Sequence, residues 1–247
     1  VGSEMCIRDR MREAGKRLAH VHQELEAMIA PGISTWEIDA KGEKLIRDCG
    51  CIPNFLHYNG YPASICVSVN DEVVHGIPRK DRYLKEGDIV SLDAGLIYKG
   101  YHSDAARTHA VGKVSTEAQK LMDVTKQSFF EGIKMAKEGQ HLHDISRAIE
   151  EYVTPYGYGI VRDLVGHGIG TALHEDPQIP NYAQKRRGVR LQAGMTLAIE
   201  PMINAGTWQV RFLRDGWTVV TKDGSLSAHY ENTILVTDGE PEILTLY

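Results

Sequence analysis

Hydrophobic residues recur every three to four positions in four stretches of the chain, a spacing that predicts helices with one buried face. The predicted helices cover residues 11–30, 35–49, 116–137 and 142–156. A glycine interrupts each pair of helices, Gly32 in the first half and Gly139 in the second. Ser34 precedes the second helix and Glu37 follows three positions later, which is typical of a capped helix start.

Short runs of β-branched and other apolar residues, bounded by turn-forming residues, fill most of the remaining chain. They predict strands at residues 64–70, 88–97, 101–111, 195–203, 217–221 and 227–236. Each half of the chain therefore combines two helices with antiparallel strands, which predicts the α+β class.

Two of the strand regions carry the same sequence pattern. Residues 84–97 and 191–203 both contain Leu-x-x-Gly-x-x-apolar-x-apolar-acid, and the acids that align are Asp93 and Glu200. The same offset of 107 residues relates Met28 to Met135, Gly32 to Gly139 and Ile38 to Ile145. We expect two related halves that pack together and bring the duplicated acids to a common cleft.

The length of 247 residues leaves room for two such halves around a single core, and we assign residues 11–247 to one domain. Residues 1–10 have neither the apolar segment nor the small-residue cleavage site of a signal peptide. We interpret them as a non-native or artefactual N-terminal segment.

Charge and cysteine content narrow the class of partner. The formal net charge is −5 with both signs interspersed, so DNA, RNA or an anionic membrane surface is not expected as the main partner. No run of 18 apolar residues could span a bilayer. The four cysteines are too sparse for a disulfide framework, which favours a reducing, cytoplasmic location.

The first candidate site is a pair of aspartates in a predicted β-hairpin. If Lys99 and Gly100 are the central turn residues, Gly95 lies opposite Asp104. Asp93 then points to the same face as Gly95 and is a diagonal neighbour of Asp104, roughly 7 Å away or less. Neighbouring carboxylates repel unless a cation or proton lies between them, so the pair predicts a metal site. The alternative is a solvated hairpin face, which a one-residue slip of the turn would favour.

Three further residues have the chemistry of metal ligands. Glu200 lies in a strongly apolar strand and Glu231 leads into another, where an unpaired carboxylate would be costly to bury. His167 stands between glycines, which allow close approach of backbone or ligand. With Asp93 and Asp104 they form an oxygen-rich donor set that suits a pair of Mn(II), Fe(II), Co(II) or Zn(II) ions better than a structural zinc.

These residues stand in motifs that resemble those of the type I methionine aminopeptidases. The matching segments are His75-Gly76-Ile77-Pro78, Gly166-His167-Gly168-Ile169-Gly170, His174-Glu175, Ile199-Glu200-Pro201-Met202 and Ser227-Ala228-His229-Tyr230-Glu231-Asn232-Thr233. With Asp93 and Asp104 they occur in the order of the family over residues 11–247. The resemblance implies the pita-bread fold, in which two pseudosymmetric halves with an antiparallel sheet core and outer helices surround a dinuclear metal site.

The resemblance also implies a role for each candidate ligand. Asp104 and Glu231 would bridge two divalent ions, Asp93 would complete one site, and His167 with Glu200 would complete the other. In a two-metal hydrolase the ions activate water and polarise the scissile carbonyl. Glu200 would in addition carry the proton from the water to the leaving amine.

The substrate contacts are likewise implied by the resemblance. His174 would bond the substrate carbonyl oxygen and stabilise the charge that develops there, and His75 would contact the amide nitrogen. The methionine pocket would consist of Tyr58, Tyr61, Cys66 and Trp217, a polarizable lining that suits a thioether. Leu173 occupies a position that is often Phe in the family, and Asn70 with Ser227 match positions that help to hold one monovalent cation.

The expected reaction is hydrolytic removal of the initiator methionine from nascent proteins and peptides, with a preference for a small second residue. Two alternatives stay open at this point. X-prolyl aminopeptidases and prolidases share the metal ligands but usually carry an extra N-terminal domain, and a non-enzymatic pita-bread protein would bind peptides without cleaving them. We expect a monomer that meets nascent chains near the ribosome.

Overall fold

Four α-helices are formed by the part of the chain that the computed structural model describes, namely the backbone of residues 2–247 and the side chains of residues 7–247. They are α1 (Gly2–Ala27), α2 (Thr35–Asp48), α3 (Thr116–Ile133) and α4 (Leu142–Val153), with 3₁₀ turns at Tyr58–Gly60 and Thr154–Tyr156. The predicted start of α1 at residue 11 was too late, and three helices end three to four residues earlier than predicted or continue as a 3₁₀ turn. The side chains of residues 1–6 lie outside the described part of the chain, so the interpretation of residues 1–10 as a non-native or artefactual segment stays a prediction.

The described backbone forms fifteen strands. In chain order they are β1 (Ile52–Pro53), β2 (Ile65–Val69), β3 (Glu72–Val74), β4 (Ile89–Tyr98), β5 (Tyr101–Ala110), β6 (Gly159–Ile160), β7 (Gly166–Gly168), β8 (Glu175–Ile179), β9 (Thr196–Ile199), β10 (Met202–Asn204), β11 (Val210–Phe212), β12 (Val219–Thr221), β13 (Ser227–His229), β14 (Asn232–Leu235) and β15 (Glu242–Ile243). The sequence patterns missed the shortest of these, because two or three residues carry no periodicity.

Two strands predicted as continuous are each broken in two. The strand at residues 195–203 separates into β9 and β10 at Glu200 and Pro201, where proline has no N–H to continue the ladder. The strand at residues 227–236 separates into β13 and β14 at Tyr230 and Glu231. Both breaks fall at a candidate metal ligand, so each carboxylate leaves its strand at a point where the backbone changes direction.

The strands form antiparallel sheets, one large sheet in each half. In the first half β4 pairs with β5 along one edge and with β1 and β2 along the other. In the second half the order is β15-β14-β9-β7-β8, and two three-stranded sheets, β13-β10-β6 and β11-β12-β3, complete the molecule. Helices α1 and α2 pack on the first-half strands, whereas α3 packs on α4, β10 and β13.

The hydrophobic core, like the sheets, is divided between the two halves of the chain. One large cluster of buried side chains is built almost entirely from residues 14–111 and another from residues 89–236. A third, smaller cluster combines first-half side chains such as Tyr61 and Cys66 with second-half side chains such as Ile169 and Leu173. This third cluster joins the halves beside the candidate ligands.

Equivalent positions of the two halves adopt the same local structure, as the repeat predicted. Gly32 and Gly139 both have left-handed backbones, with φ of +93° and +88°. The N–H of Gly32 donates to the carbonyl of Leu84 at 2.7 Å, and the N–H of Gly139 donates to the carbonyl of Leu191 at 3.0 Å. The prediction of an α+β fold with two pseudosymmetric halves is confirmed.

The helices that follow these glycines share one of their two capping bonds. Ser34 accepts from the N–H of Glu37 at 3.1 Å, and the Glu37 carboxylate accepts from the N–H of Ser34 at 2.7 Å. In front of α4 the Asp144 carboxylate likewise accepts from the N–H of His141 at 2.9 Å, but the N–H of Asp144 donates to the backbone carbonyl of His141 at 3.0 Å. None of the described helices is both long and apolar enough to cross a membrane.

Candidate metal centre

The β4–β5 hairpin places two aspartates side by side, in the register that the sequence predicted. Tyr98 pairs with Tyr101, Gly95 pairs with Asp104, and Asp93 pairs with Ala106, so Asp93 and Asp104 are diagonal neighbours on one face. The turn residues Lys99 and Gly100 have φ of +45° and +85°, as a type I′ turn requires. Both aspartates are buried, which makes the alternative of a solvated hairpin face wrong.

Glu231 reaches the same cleft from the second half. Its N–H donates to the carbonyl of Ala106 at 2.9 Å, and the N–H of Ala106 donates to the carbonyl of Glu231 at 3.1 Å. This pair of bonds fastens the break between β13 and β14 directly to β5. Glu231 is fully buried, and Glu200 at the other break lies close by.

His167 completes the group from β7. Its Nε2 lies 3.5 Å from Oδ2 of Asp104, 3.4 Å from Oε1 of Glu200 and 3.9 Å from Oε2 of Glu231. Its Nδ1 lies 2.9 Å from the carbonyl of Gly168, and donation there fixes the tautomer that leaves Nε2 available to a metal. A Cβ atom on Gly168 would stand 2.2 Å from the carbonyl oxygen of Asp176, so glycine is needed at this position.

The chemistry of the cluster fits divalent cations. Within the described residues, five buried polar atoms of the cluster have no hydrogen-bond partner: Oδ1 of Asp93, Oδ1 of Asp104, both carboxylate oxygens of Glu231 and Nε2 of His167. Three groups of possible ligand atoms each lie within 4.8 Å of one another. They come from Asp104, His167 and His174, from His167, Glu200 and Glu231, and from Asp93, His229 and Glu231. Unpaired buried carboxylates are costly, and metal coordination is the usual compensation.

The pKa values of the ligands reflect this crowding of like charges. Burial, followed by repulsion from Asp104 and Glu200, raises the pKa of both Asp93 and Glu231 well above the ordinary range. For Asp104, burial also acts to raise the pKa, but the neighbouring His167 outweighs it and the pKa is lowered. Burial acts to lower the pKa of His167, yet Asp104 and Glu200 raise it to about 9. Without a metal, the cluster therefore holds protons at neutral pH.

A pH dependence of stability follows for chelator-treated protein. Asp93, Glu231 and His167 all have raised pKa values in the folded state, so the folded protein binds more protons than the unfolded chain and loses stability as pH rises. We expect the urea midpoint to fall between pH 7 and pH 9. Below pH 7 the buried histidines with lowered pKa values, His22 and His109, act in the opposite direction.

Urea unfolding at pH 7, 8 and 9 with a chelator checks this expectation. Saturating Mn(II) should flatten the dependence, because the cations replace the protons. A midpoint that rises over this interval in the chelated protein would contradict the assignment.

A cavity of about 260 Å³ opens beside the cluster and is lined by the predicted substrate residues. His174 and His75 both line it, together with the ligands Asp93, Asp104 and Glu200. Nδ1 of His174 lies 2.9 Å from the hydroxyl of Tyr58. Burial, and then the charge of His167, lowers the pKa of His174, and burial lowers the pKa of His75, so both rings are neutral near pH 7.

His75 has an unusual backbone conformation that aims it into the cavity. Its φ is +59°, a left-handed value that non-glycine residues rarely adopt and that is often found at functional sites. Gly76, which follows, accepts from the N–H of Val67 at 3.0 Å and from the hydroxyl of Tyr61 at 3.1 Å. A Cβ atom on Gly76 would stand 2.1 Å from the carbonyl oxygen of Val67, so the His-Gly sequence is required by close packing.

The four predicted residues of the methionine pocket line the same cavity, as does Leu173. The Tyr61 and Trp217 rings meet edge to face with centroids 5.2 Å apart, and burial raises the pKa of the Cys66 thiol, which stays neutral. Sequence reasoning missed Phe55 and Asn59, which also line the cavity. Both lie in an irregular segment with no periodicity to indicate a direction.

The two residues assigned to a monovalent cation are joined directly. The N–H of Ser227 donates to the carbonyl of Asn70 at 3.0 Å, while the Asn70 side chain bonds Asp88 at 2.9 Å and the N–H of Ile89 at 3.1 Å. The cation itself stays a prediction.

Two residues behind the cluster were not singled out from the sequence. His229 is buried and its Nε2 lies 3.0 Å from Oε2 of Glu200. Arg107 is buried behind Glu231 and donates to its carbonyl at 2.5 Å. His229 could have been found, because it stands in the same motif as Glu231, Ser227-Ala228-His229-Tyr230-Glu231-Asn232-Thr233. No pattern in the sequence indicates Arg107.

Known proteins share both the sequence and the fold of this chain. The sequence pattern of metallopeptidase family M24 matches residues 9–238. A methionine aminopeptidase from Clostridium acetobutylicum is 54% identical, over 96% of this chain and 94% of the relative. The crystal structure of a methionine aminopeptidase from Thermotoga maritima superposes with a TM-score of 0.96 at 46% identity, covering 100% of this chain and 98% of that one.

A proline-directed relative is more distant. An Xaa-Pro dipeptidase from Bacillus anthracis superposes with a TM-score of 0.77 at 26% identity, and the match covers 99% of this chain but 61% of the dipeptidase. The predicted pita-bread architecture is thus confirmed, and the match to the methionine aminopeptidases is both closer and more complete. The chain belongs to metallopeptidase family M24, among its methionine aminopeptidases.

Proposed function

We propose that this protein removes the N-terminal methionine from nascent proteins and peptides by metal-dependent hydrolysis. The observation that carries the proposal is one cavity of about 260 Å³, in which an apolar and polarizable lining that suits a thioether adjoins a buried cluster of carboxylates. Similarity to methionine aminopeptidases at up to 54% identity among the relatives compared supports the same activity.

We assign two divalent ions to the cluster. Asp104 and Glu231 would contribute to both sites, Asp93 would complete one site, and His167 with Glu200 would complete the other. The oxygen-rich set with a single imidazole suits Co(II), Mn(II), Fe(II) or Zn(II). When bound, such ions lower the pKa of a coordinated water and polarise the scissile carbonyl.

The protein's own groups then move the proton and stabilise charge. Glu200 accepts the proton of the attacking water and delivers it to the leaving amine. His174 donates a hydrogen bond from Nε2 to the substrate carbonyl oxygen, and the Tyr58 hydroxyl, 2.9 Å from Nδ1, supports this role when it donates to Nδ1. His75 contacts the amide nitrogen of the scissile bond.

Specificity for methionine is assigned to the four side chains that line the inner cavity, namely Tyr58, Tyr61, Cys66 and Trp217. Tyr61 and Cys66 are almost fully buried, so the pocket offers a neutral and polarizable surface. Leu173, which is buried and lines the same cavity, stands at a position that is often Phe in the family, so the shape of the pocket and its tolerance of methionine analogues should differ from those of relatives with Phe. A small second residue in the substrate is expected from the resemblance to the type I methionine aminopeptidases.

The proposed activity indicates where in the cell the protein acts and what it associates with. Initiator methionine is removed from chains as they are made, so we place the enzyme in the cytoplasm, as a monomer that associates transiently with ribosomes. A size-exclusion measurement and a ribosome pelleting assay test these two points.

The decisive experiment compares the peptides Met-Ala-Ser and Ala-Pro-Ala with chelator-treated protein, with and without Mn(II) or Co(II). Release of methionine only in the presence of metal is the expected result. Cleavage of only the proline peptide would move the enzyme to the prolidases. Cleavage of neither peptide by folded protein would favour a peptide-binding protein instead.

Replacement of His174 by alanine should lower kcat about 10- to 1000-fold with little change in KM, because its hydrogen bond strengthens only as charge develops on the carbonyl oxygen. Steady-state kinetics with Met-Ala-Ser measure the effect. His143, an imidazole that bonds a backbone carbonyl at the surface, provides the matched control, His143→Ala. An unchanged kcat in His174→Ala would contradict the proposed hydrogen bond to the carbonyl oxygen and would leave His174 with a structural role only.

A further inference from the structure

His229 occupies a position between the metal centre and a second cavity behind it. The ring is 1% exposed, and Nε2 lies 3.0 Å from Oε2 of Glu200. We propose that His229 is a positioning residue that fixes the Glu200 carboxylate in the orientation needed for metal binding and proton transfer. The inference rests on the role of Glu200 in the proposed function.

The contact divides the two oxygens of Glu200 between two histidines. Oε2 faces His229, whereas Oε1 lies 3.4 Å from Nε2 of His167, on the side of the other ligands. A carboxylate can only accept, so Nε2 of His229 is the donor in this bond. With one oxygen held, rotation of the carboxylate is restricted and Oε1 stays directed at the cluster.

The backbone of His229 is fixed independently from the first half of the molecule. The hydroxyl of Thr108 accepts from the N–H of His229 at 2.9 Å and donates to its carbonyl at 2.8 Å. The hydroxyl of Ser91 lies 2.9 Å from that of Thr108 and donates the third bond. Thr108 thus uses its single proton and both lone pairs, which leaves no freedom in the position of the His229 backbone.

The other ring nitrogen has no competing attachment. Among the described residues no side chain or backbone group bonds Nδ1 of His229, which is buried. His229 also lines a rear cavity of about 260 Å³, bordered by Arg107, His109 and Lys126. Nε2 also faces Oε1 of Glu231, but at 3.9 Å, which is too long for a hydrogen bond. The bond to Glu200 is therefore the contact that orients the ring, and the ring in turn orients the carboxylate.

Partners of metal ligands of this kind change metal affinity or activity about 10- to 100-fold when they are removed. His229→Leu keeps the volume but removes the donor, and we expect Mn(II) to bind about 10-fold more weakly with kcat lowered by a similar factor and KM little changed. His229→Gln carries an amide donor of similar reach and should restore both quantities to within about 3-fold of wild type. Thr108→Val, which loosens the backbone but keeps the ring, should give a smaller loss.

Isothermal titration of chelated protein with Mn(II) is the primary measurement, since it does not depend on turnover. Steady-state kinetics with Met-Ala-Ser follow, and His20→Leu, at an exposed position of α1, is the matched control. Circular dichroism establishes that each variant is folded. If His229→Leu does not fold, the comparison of His229→Gln with Thr108→Val decides.

Two results overturn the inference: Mn(II) affinity and kcat of wild-type magnitude in His229→Leu and Thr108→Val, or a loss in His229→Gln as large as in His229→Leu. The latter would mean that ring packing, not donation, matters. Failure of the proposed function is distinct, because it appears as wild-type protein that binds Mn(II) but releases no methionine.

Discussion

Glu231→Gln is expected to abolish methionine release, with kcat/KM lowered by at least about 1000-fold, equal to about 4 kcal/mol of transition-state stabilisation. The substitution preserves shape but removes the charge of a carboxylate assigned to both ions. Bound metal, measured by atomic emission after dialysis, should fall in parallel.

The same variant should be more stable than wild type when both are metal-free. Glu231 is fully buried, its pKa is raised by burial and by neighbouring carboxylates, and both its oxygens are unpartnered within the described residues. Without metal, Glu231 must take up a proton on folding at neutral pH, whereas a neutral amide does not, so the urea midpoint in chelator should rise. Glu151→Gln, at an exposed position of α4, controls for the chemistry of the change. Wild-type turnover by Glu231→Gln with full metal content would refute the ligand assignment.

Arg107→Leu is expected to lower the free energy of unfolding by about 3–5 kcal/mol, because it removes several hydrogen bonds of a buried charged group, each worth about 1.5–3 kcal/mol. The guanidinium donates to the carbonyls of Ala106 at 2.9 Å, Glu231 at 2.5 Å and Thr245 at 2.8 Å, and to Oδ1 of Asn232 at 2.7 Å. Leucine would remove one donor from each of these four buried acceptors, and the carbonyls of Ala106 and Glu231 would keep only the bonds that join them to each other.

Lysine at this position should give an intermediate loss, since a single ammonium cannot reach four acceptors that surround a planar group. Urea unfolding of the metal-free wild type and of both Arg107 variants measures these losses. Arg79→Leu is the control: the ion pair of Arg79 with Asp81 is exposed, so the free energy of unfolding should change by less than about 1 kcal/mol. Equal losses in Arg107→Leu and Arg79→Leu would show that the buried network contributes nothing.

The helices, the long hairpin and the two-half organisation were predictable because each depends on local spacing. The turn at Lys99 and Gly100 fixed the register, and with it the neighbourhood of Asp93 and Asp104. The breaks at Glu200 and Glu231 were not predictable in the same way. Pro201 interrupts one ladder, but the backbone of Glu231 leaves its strand because Ala106, more than 100 residues away, supplies the partner.

The residues that hold the site from behind were not predictable either, because their partners also lie far away in the sequence. Arg107 and Thr108 act through residues of the other half, and no periodicity within β5 distinguishes them from ordinary strand residues. The substrate residues were identified through motifs, whereas Phe55 and Asn59 lie in an irregular segment that only the tertiary structure directs into the cavity.

The Ala106–Glu231 pairing has a consequence for the order in which the protein gains its function during synthesis. Four of the five assigned ligands precede residue 201, and the fifth, Glu231, is made 31 residues after Glu200. Arg107 also requires Thr245 before its hydrogen bonds are complete. A growing chain that stops between these positions holds an incomplete centre, so the enzyme gains its activity only after the segment that contains Glu231 and Thr245 has been made.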